Sequence, residues 1–427
     1  MERIRFLLIA AVLSSFLVLS GGGGRGSQPE EPFKTFVVCP EGSPNCQFSK
    51  IDEAIQAAGA DDLILLRPGT YKETLIFEKP VRLVATETGR VRIQGMQPGR
   101  PTITLKTSRE EDLRVTLEGV IISGGSPINP TQACFDERNW ICPDGVALSG
   151  EGSVAFTLVD SQITQANTGI LCPWTLHSEG SARLILLNSR FSENVFGMYL
   201  DGCDFQEVNL TLEQATFAGN QLGVLIDQLG RKAGRMTVEI EESRFAANGN
   251  GLTANLRIEG SKLTIRNSWF LDNVVGIGST MSSTTEIRTS RFIGNRIGLQ
   301  LGHLLIGEKS GSILLEDSVV AYNIERGLYI LSSSWIELRN NLIQGNGSGI
   351  VIFRADNLLS LVNNSILHNH EWGVALFRSP CVENPPTDPR FIDPIFIQGE
   401  GNEIRENGKG DLCPEDYNWP PNFQKQP

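Results

Sequence analysis

Apolar and polar residues alternate strictly along many short stretches of this chain. Val208, Leu210 and Leu212 alternate with Asn209, Thr211 and Glu213. Met236, Val238 and Ile240 alternate with Thr237, Glu239 and Glu241, and Leu263 and Ile265 with Lys262, Thr264 and Arg266. A period of two with one apolar face predicts half-buried strands. Further short apolar runs lie at 63–66, 75–77, 81–84, 91–93, 102–105 and 113–117, with turn residues and no amphipathic helix between them. That spacing argues against an α/β fold. One helical pattern precedes them: Ile51, Ala54, Ile55 and Ala58, opened by a capping box at Ser49-Lys50-Ile51-Asp52 and ended by Gly59. A lone helix before a stack of strands predicts a cap over the first, otherwise unpaired, coil.

The strands belong to a repeat of about 25 residues. It reads Ser/Asn-x-Phe/Ile-x-x-Asn-x-x-Gly-Ile/Val/Leu, as in Phe191, Asn194 and Gly197, or Phe270, Asn273 and Gly276. Three short strands per repeat with bends between them predict a parallel β-helix, its coils stacked at about 4.8 Å. From Leu63 to Phe377 there is room for about twelve coils. The repeated Asn (Asn194, Asn220, Asn248, Asn273, Asn295, Asn323, Asn346, Asn369) is expected at coil corners. Asn tolerates left-handed backbone, and its amide can bond the equivalent Asn of the next coil. This predicts a structural ladder rather than a ligand site.

The segment Ile51-Asp52-Glu53-Ala54-Ile55-Gln56-Ala57-Ala58, followed by Asp62-Leu63-Ile64-Leu65-Leu66-Arg67-Pro68-Gly69-Thr70-Tyr71-Lys72-Glu73, resembles the opening of pectin-lyase-like proteins, including pectinesterases and NosD-like periplasmic proteins. The later Asn-x-x-Gly-Ile repeats resemble the parallel β-helix repeat of the same superfamily. The resemblance covers about residues 47–377 and implies an all-β, single-stranded, right-handed parallel β-helix with a short N-terminal capping helix. It implies little about activity, because the superfamily holds lyases, hydrolases, esterases, epimerases and non-enzymes. Its catalytic signatures are missing. There is no Asp-Phe-Ile-Phe-Gly, no Asn-Thr-Asp with Gly-His-Gly and no Asp-Pro-His-Asp; Asp388-Pro389-Arg390 and Asp393-Pro394-Ile395 lack the His-Asp.

Composition refines the picture. The N-terminus has a basic start at Arg3 and Arg5, an apolar run from Phe6 to Leu19 and small residues at Val18 and Ser20. This reads as a signal peptide over 1–20, and as export to the periplasm or beyond the cell. Residues 21–46 read as a flexible segment with a small Cys loop, 47–380 as the β-helix and 381–427 as a capping tail. Once the signal is removed, no apolar run is long enough to span a membrane. The eight cysteines suit an oxidising compartment. Spacing suggests Cys39 with Cys46, Cys134 with Cys142, Cys172 with Cys203 and Cys381 with Cys413. The net charge of −12 disfavours nucleic acid and acidic polysaccharide as bulk partners, and a monomer is expected.

Candidate chemistry follows from the register. The strand after each repeated Gly points Leu171, Tyr199, Leu225, Thr253, Gly278, Gln300, Tyr329, Val351 and Ala375 outward, with no charge among them. Another strand points Glu213, Glu239, Lys262, Arg288, Glu316 and Arg339 outward. A neutral stripe with two tyrosines suits a sugar chain or a protein partner. Tyr199, Leu225 and Tyr329 are therefore the expected ligand contacts. Insertions at 123–145, 172–182, 201–207, 227–235 and 302–311 should stack on one flank and bring Trp174 to the same place. Asp201 and Asp227 are the catalytic candidates. Loop carboxylates also suit calcium, whereas four His and five Met offer few soft ligands for a NosD-like role in copper delivery; His368-Asn369-His370 reads as corner residues rather than a metal site. The expectation is an exported, non-catalytic β-helix that binds a carbohydrate or a cell-surface partner. The alternative is a polysaccharide-active lyase, hydrolase or epimerase.

Overall fold

In a computed structural model the described residues form three parallel sheets, and each full turn from Asp62 onward gives one strand to each sheet. Sheet A holds 14 strands, from Thr35–Val38 to Ile397–Glu400. Sheet B runs from Gly69–Lys72 to Glu403–Arg405 and sheet C from Leu75–Phe77 to Gly410–Cys413, with 13 strands each. The structure describes residues 33–41, 43, 46–97, 99–109, 111–124, 144–172, 179–201, 205–228, 234–282, 284–302, 311–332, 335–355, 358–382 and 396–423.

The solenoid extends further at both ends than the repeat alone suggested. Thr35–Val38, inside the segment expected to be flexible, pairs with Asp62–Leu66 as the first strand of sheet A. At the other end Ile397–Glu400, Glu403–Arg405 and Gly410–Cys413 add a complete coil. Only then do Trp419 and Phe423, 2% and 4% exposed, close the core. A Cβ on Gly399 would fall 2.0 Å from the Phe423 ring, so the cap seats on that glycine.

Helix α1 (Ile51–Ala57) buries Ile51, Ala54 and Ile55 against the first coil. Its start corrects the capping box. The N-cap is Lys50, whose side chain makes no cap bond. The Glu73 carboxylate accepts from the Ile51 and Asp52 amides at 2.9 and 3.0 Å. A carboxylate brought from sheet B thus satisfies orphan donors at the positive end of the helix. Gly59 lies beyond the C-cap Ala58, and its amide donates to Asp62.

Inside the coil, inward residues of all three sheets form one apolar column. Phe191, Phe217, Phe245, Phe270 and Phe292 occupy one register position of sheet B. Their rings stack with centroids 4.7, 5.2, 4.7 and 4.9 Å apart. Beside them, the repeated Gly marks close approach between coils. A Cβ on Gly197 would lie 2.4 Å from the Gly223 carbonyl oxygen.

The Asn ladder at the corner between sheets B and C is continuous. Each side-chain amide donates to the Oδ1 of the next Asn at 2.8–3.2 Å, from Asn194 through Asn369 to Asn407. The left-handed residue is not the Asn but the one before it: Glu193, Ala247, Asp272, Tyr322, His368 and Glu406, with Gly219, Gly294 and Gly345 at the remaining rungs. The Asn must turn its amide inward to reach the ladder, so the turn falls on its predecessor. A second ladder runs between sheets A and B, where Ser243, Ser268, Ser290 and Ser318 lead into Asn341, Asn364 and Asn402.

Two disulfides are described in full, Cys39–Cys46 and Cys381–Cys413. Cys172 is disulfide-bonded, and its register partner is Leu200. Cys134, Cys142 and Cys203 lie outside the described residues.

Candidate functional site: the outer face of sheet C

The outward row inferred from the sequence is a true register. Ala147, Leu171, Tyr199, Leu225, Thr253 and Gly278 pair in succession, as do Gln300, Tyr329, Val351 and Ala375. Its accessibility is uneven. Ala147, Leu171 and Tyr199 are buried and form a small apolar cluster outside the coil, with Phe196 and Leu225 packed against it. The Phe196 and Tyr199 rings meet edge to face at 5.0 Å. Tyr199 is therefore a packing residue and not an open contact.

The far end of the row is closed as well. Ala375 pairs with Cys413, and the Cys381–Cys413 disulfide lies against it with Trp372. The Trp372 indole donates to the Cys381 carbonyl at 3.1 Å.

Between these ends Leu225, Thr253, Gln300 and Tyr329 are partly exposed. The stretch crosses five strands, about 19 Å at the usual strand spacing. Leu222, Asn250, Val275 and Ile297 flank it from the position before each repeated Gly. Asn250 donates to the Thr253 hydroxyl at 3.1 Å. The floor is neutral and mixes apolar with amide and hydroxyl groups.

Each end of this strip carries polar or aromatic chemistry. Asp227 accepts from Asn255 at 2.9 Å and lies 3.8 Å from the Arg257 guanidinium. Asp201 is the register partner of Asp227, so the strand spacing puts two acidic residues in adjacent coils. At the other end Tyr329, Phe353 and Phe377 form an aromatic triangle with centroids 5.2–6.3 Å apart. The Arg326 guanidinium lies 4.4 Å above the Tyr329 ring. Burial raises the Tyr329 pKa above its ordinary value, against the pull of Arg326. The phenol stays neutral and keeps its O–H to donate.

Trp174 lies outside the described residues. The insertion at 123–145 does not belong with the others. It joins Ser123 of sheet B to Val146 of sheet C, whereas the rest follow sheet C strands. The charged face is sheet A, where Lys262–Glu286, Arg288–Glu316 and Arg339–Glu316 pair across coils. Among the described residues no group of three or more His, Cys, Asp or Glu side chains is placed to hold a metal ion. A separate cleft of about 680 Å³ lies at the seam of helix α1 and the first coil, lined by Ile55, Gln56, Thr74, Ile76 and Lys79 with Asp52 and Glu78. The Lys79 ammonium is already bound to the Gln56 and Ala58 carbonyls. Sequence reasoning singled out Asp227 but missed its partners Asn255 and Arg257, and also Arg326, Phe353 and Phe377. Arg326 precedes Tyr329 of the outward row by three residues, Asn255 and Arg257 follow Thr253 by two and four, and Phe353 lies within Ser348–Ala355 where the register shifts at a bulge.

A family model described as "Right handed beta helix region" matches residues 208–366 and 307–410. The fold is a right-handed parallel β-helix. Among solved structures, the chain is similar to PfbA, a surface adhesin of Streptococcus pneumoniae, with 12% identity, a TM-score of 0.50 and coverage of 85% of this chain and 87% of that one. It is also similar to the A-module of the Azotobacter vinelandii mannuronan C-5 epimerase AlgE4, with 14% identity, a TM-score of 0.46 and coverage of 87% and 92%. The periplasmic alginate epimerase AlgG shows 14% identity, a TM-score of 0.43 and coverage of 84% and 82%. At such identities the likeness to PfbA is one of fold alone. No curated protein matches the sequence.

Proposed function

We propose that this β-helix is exported and binds a glycan chain, free or on a cell surface, along the open stretch of sheet C without turning it over. The observation that carries this reading is the aromatic triangle Tyr329, Phe353 and Phe377 under Arg326, at the end of a neutral strip about 19 Å long. Aromatic rings offer flat apolar faces to sugar rings, and amides and hydroxyls beside them satisfy sugar hydroxyls. The disulfides support export, since such bonds persist in oxidising compartments. No helix among the described residues is long and apolar enough to cross a membrane.

A second reading, a polysaccharide-active enzyme, draws on one observation: Asp201 and Asp227 are register partners in adjacent coils. Two carboxylates in adjacent coils suit general acid and base roles. One experiment separates the readings. The protein is applied to an array of linear polysaccharides and microbial surface glycans, and each hit is assayed for new reducing ends and unsaturated products. Binding without product supports the first reading. Turnover lost in Asp227→Asn moves the protein to the second, and neither binding nor turnover defeats both.

A further inference from the structure

Among the described residues, four of the nine exposed large hydrophobic side chains lie together, which singles them out from the scattered remainder. Trp269 projects from sheet B, and Val274, Tyr322 and Ile324 from the adjoining corner with sheet C, at 37%, 50%, 62% and 72% exposure. The sheet between them is apolar on its outside too. Leu271, Ile293, Val319, Leu342 and Leu367 face outward there and are only partly buried. The glycan strip lies on a different sheet, so the earlier reading does not use these residues.

The rim of this patch carries both signs in near balance. Arg244, Arg291 and Arg296 stand against Glu242, Asp272, Asp317 and Glu325, in a chain whose net charge is −12. A partner of a single sign, such as an anionic lipid surface or a polyanion, would meet the acids as well as the arginines. A second copy of the same surface supplies both signs at once, which is the condition for an isologous two-fold contact. Near balance here also reduces the local repulsion that opposes self-association elsewhere on an acidic molecule.

Size agrees with this occupant. Six strands from Arg244 to Leu367 span about 24 Å, and the sheet with its corner is about 20 Å wide, so the flat area is about 500 Å². With the charged rim it approaches the roughly 800 Å² per partner of a standard interface.

We infer that the outer face of sheet B around Trp269, Tyr322 and Ile324 is a homodimer interface, in place of the monomer expected from the sequence. The test is sedimentation velocity of the full chain from nanomolar to high micromolar concentration. The wild type should move from monomer to dimer. Tyr322→Asp with Ile324→Asp should raise the dimer dissociation constant by at least about tenfold. Both side chains are mostly exposed, so melting should be unchanged. Charge reversal gives an independent readout: Arg291→Glu should weaken the dimer, while Arg183→Glu on sheet A should not. A wild-type chain that stays monomeric overturns the inference. So does a dimer unaffected by the double variant, or a monomer that instead floats with vesicles of anionic phospholipid.

Discussion

Asn273 donates its side-chain amide to Asn295 Oδ1 at 2.9 Å, while its own Oδ1 accepts from both the backbone and the side-chain amide of Asn248, at 2.9 and 3.0 Å. The same amide also donates to the Phe245 carbonyl at 3.0 Å. One buried side chain therefore serves three successive coils. Asn273→Ala strands the Asn248 amides and the Phe245 carbonyl in a site that is 3% exposed. The expected loss is about 1–3 kcal/mol, read from denaturant midpoints at constant slope. Unchanged melting would mean that the ladder is not a source of stability at this rung.

Asp144 gives a pH signature. It is fully buried; Oδ1 accepts from the Thr168 amide at 3.0 Å, and Oδ2 has no partner among the described residues. Burial pushes its pKa up from 3.8 to about 7, against hydrogen bonds from Thr168 and Asn167. A raised pKa means that the folded chain holds a proton which the unfolded chain has released. The contribution of Asp144 is fully present below about pH 4 and is lost as pH rises through about 7. Asp144→Asn keeps an acceptor and removes the charge. Its stability relative to the wild type should grow across that window, as measured by unfolding at a series of pH values. A constant difference would show that Asp144 does not titrate there.

Glu73 holds the start of helix α1 through the Ile51 and Asp52 amides. Glu73→Ala should cost about 1 kcal/mol, the usual value of an N-terminal cap, whereas Ser49→Ala should cost little. The reverse order in thermal melts would restore the capping box read from the sequence.

The repeat made the architecture legible because side-chain alternation, the inward Phe and the Asn-x-x-Gly spacing all answer to one geometry. The outward register of sheet C, from Ala147 to Ala375, was legible for the same reason. Exposure was not. Tyr199 and Tyr329 occupy the same row, yet Tyr199 packs into a cluster with Leu171 and Phe196 while Tyr329 joins a half-open aromatic triangle. What covers an outward residue comes from other coils and from insertions, which a period of two does not encode. The left-handed corner was misplaced by one residue because Asn tolerates that conformation. Here the Asn is needed for its amide, and residues as unlike as Glu193, Ala247 and Tyr322 take the turn. The apolar exterior of sheet B escaped notice because its strands are only three residues long.

The central claim is that glycan binds on sheet C between Leu225 and Tyr329. Calorimetric titration of a polysaccharide selected on the array tests it most directly. Gln300→Trp fills the middle of the strip and Tyr329→Ala removes part of the aromatic end; each should weaken binding by at least about tenfold, or 1.4 kcal/mol. Tyr199→Ala should instead lower the melting temperature and leave affinity unchanged, since that ring is buried. Full affinity in both Gln300→Trp and Tyr329→Ala would contradict the account.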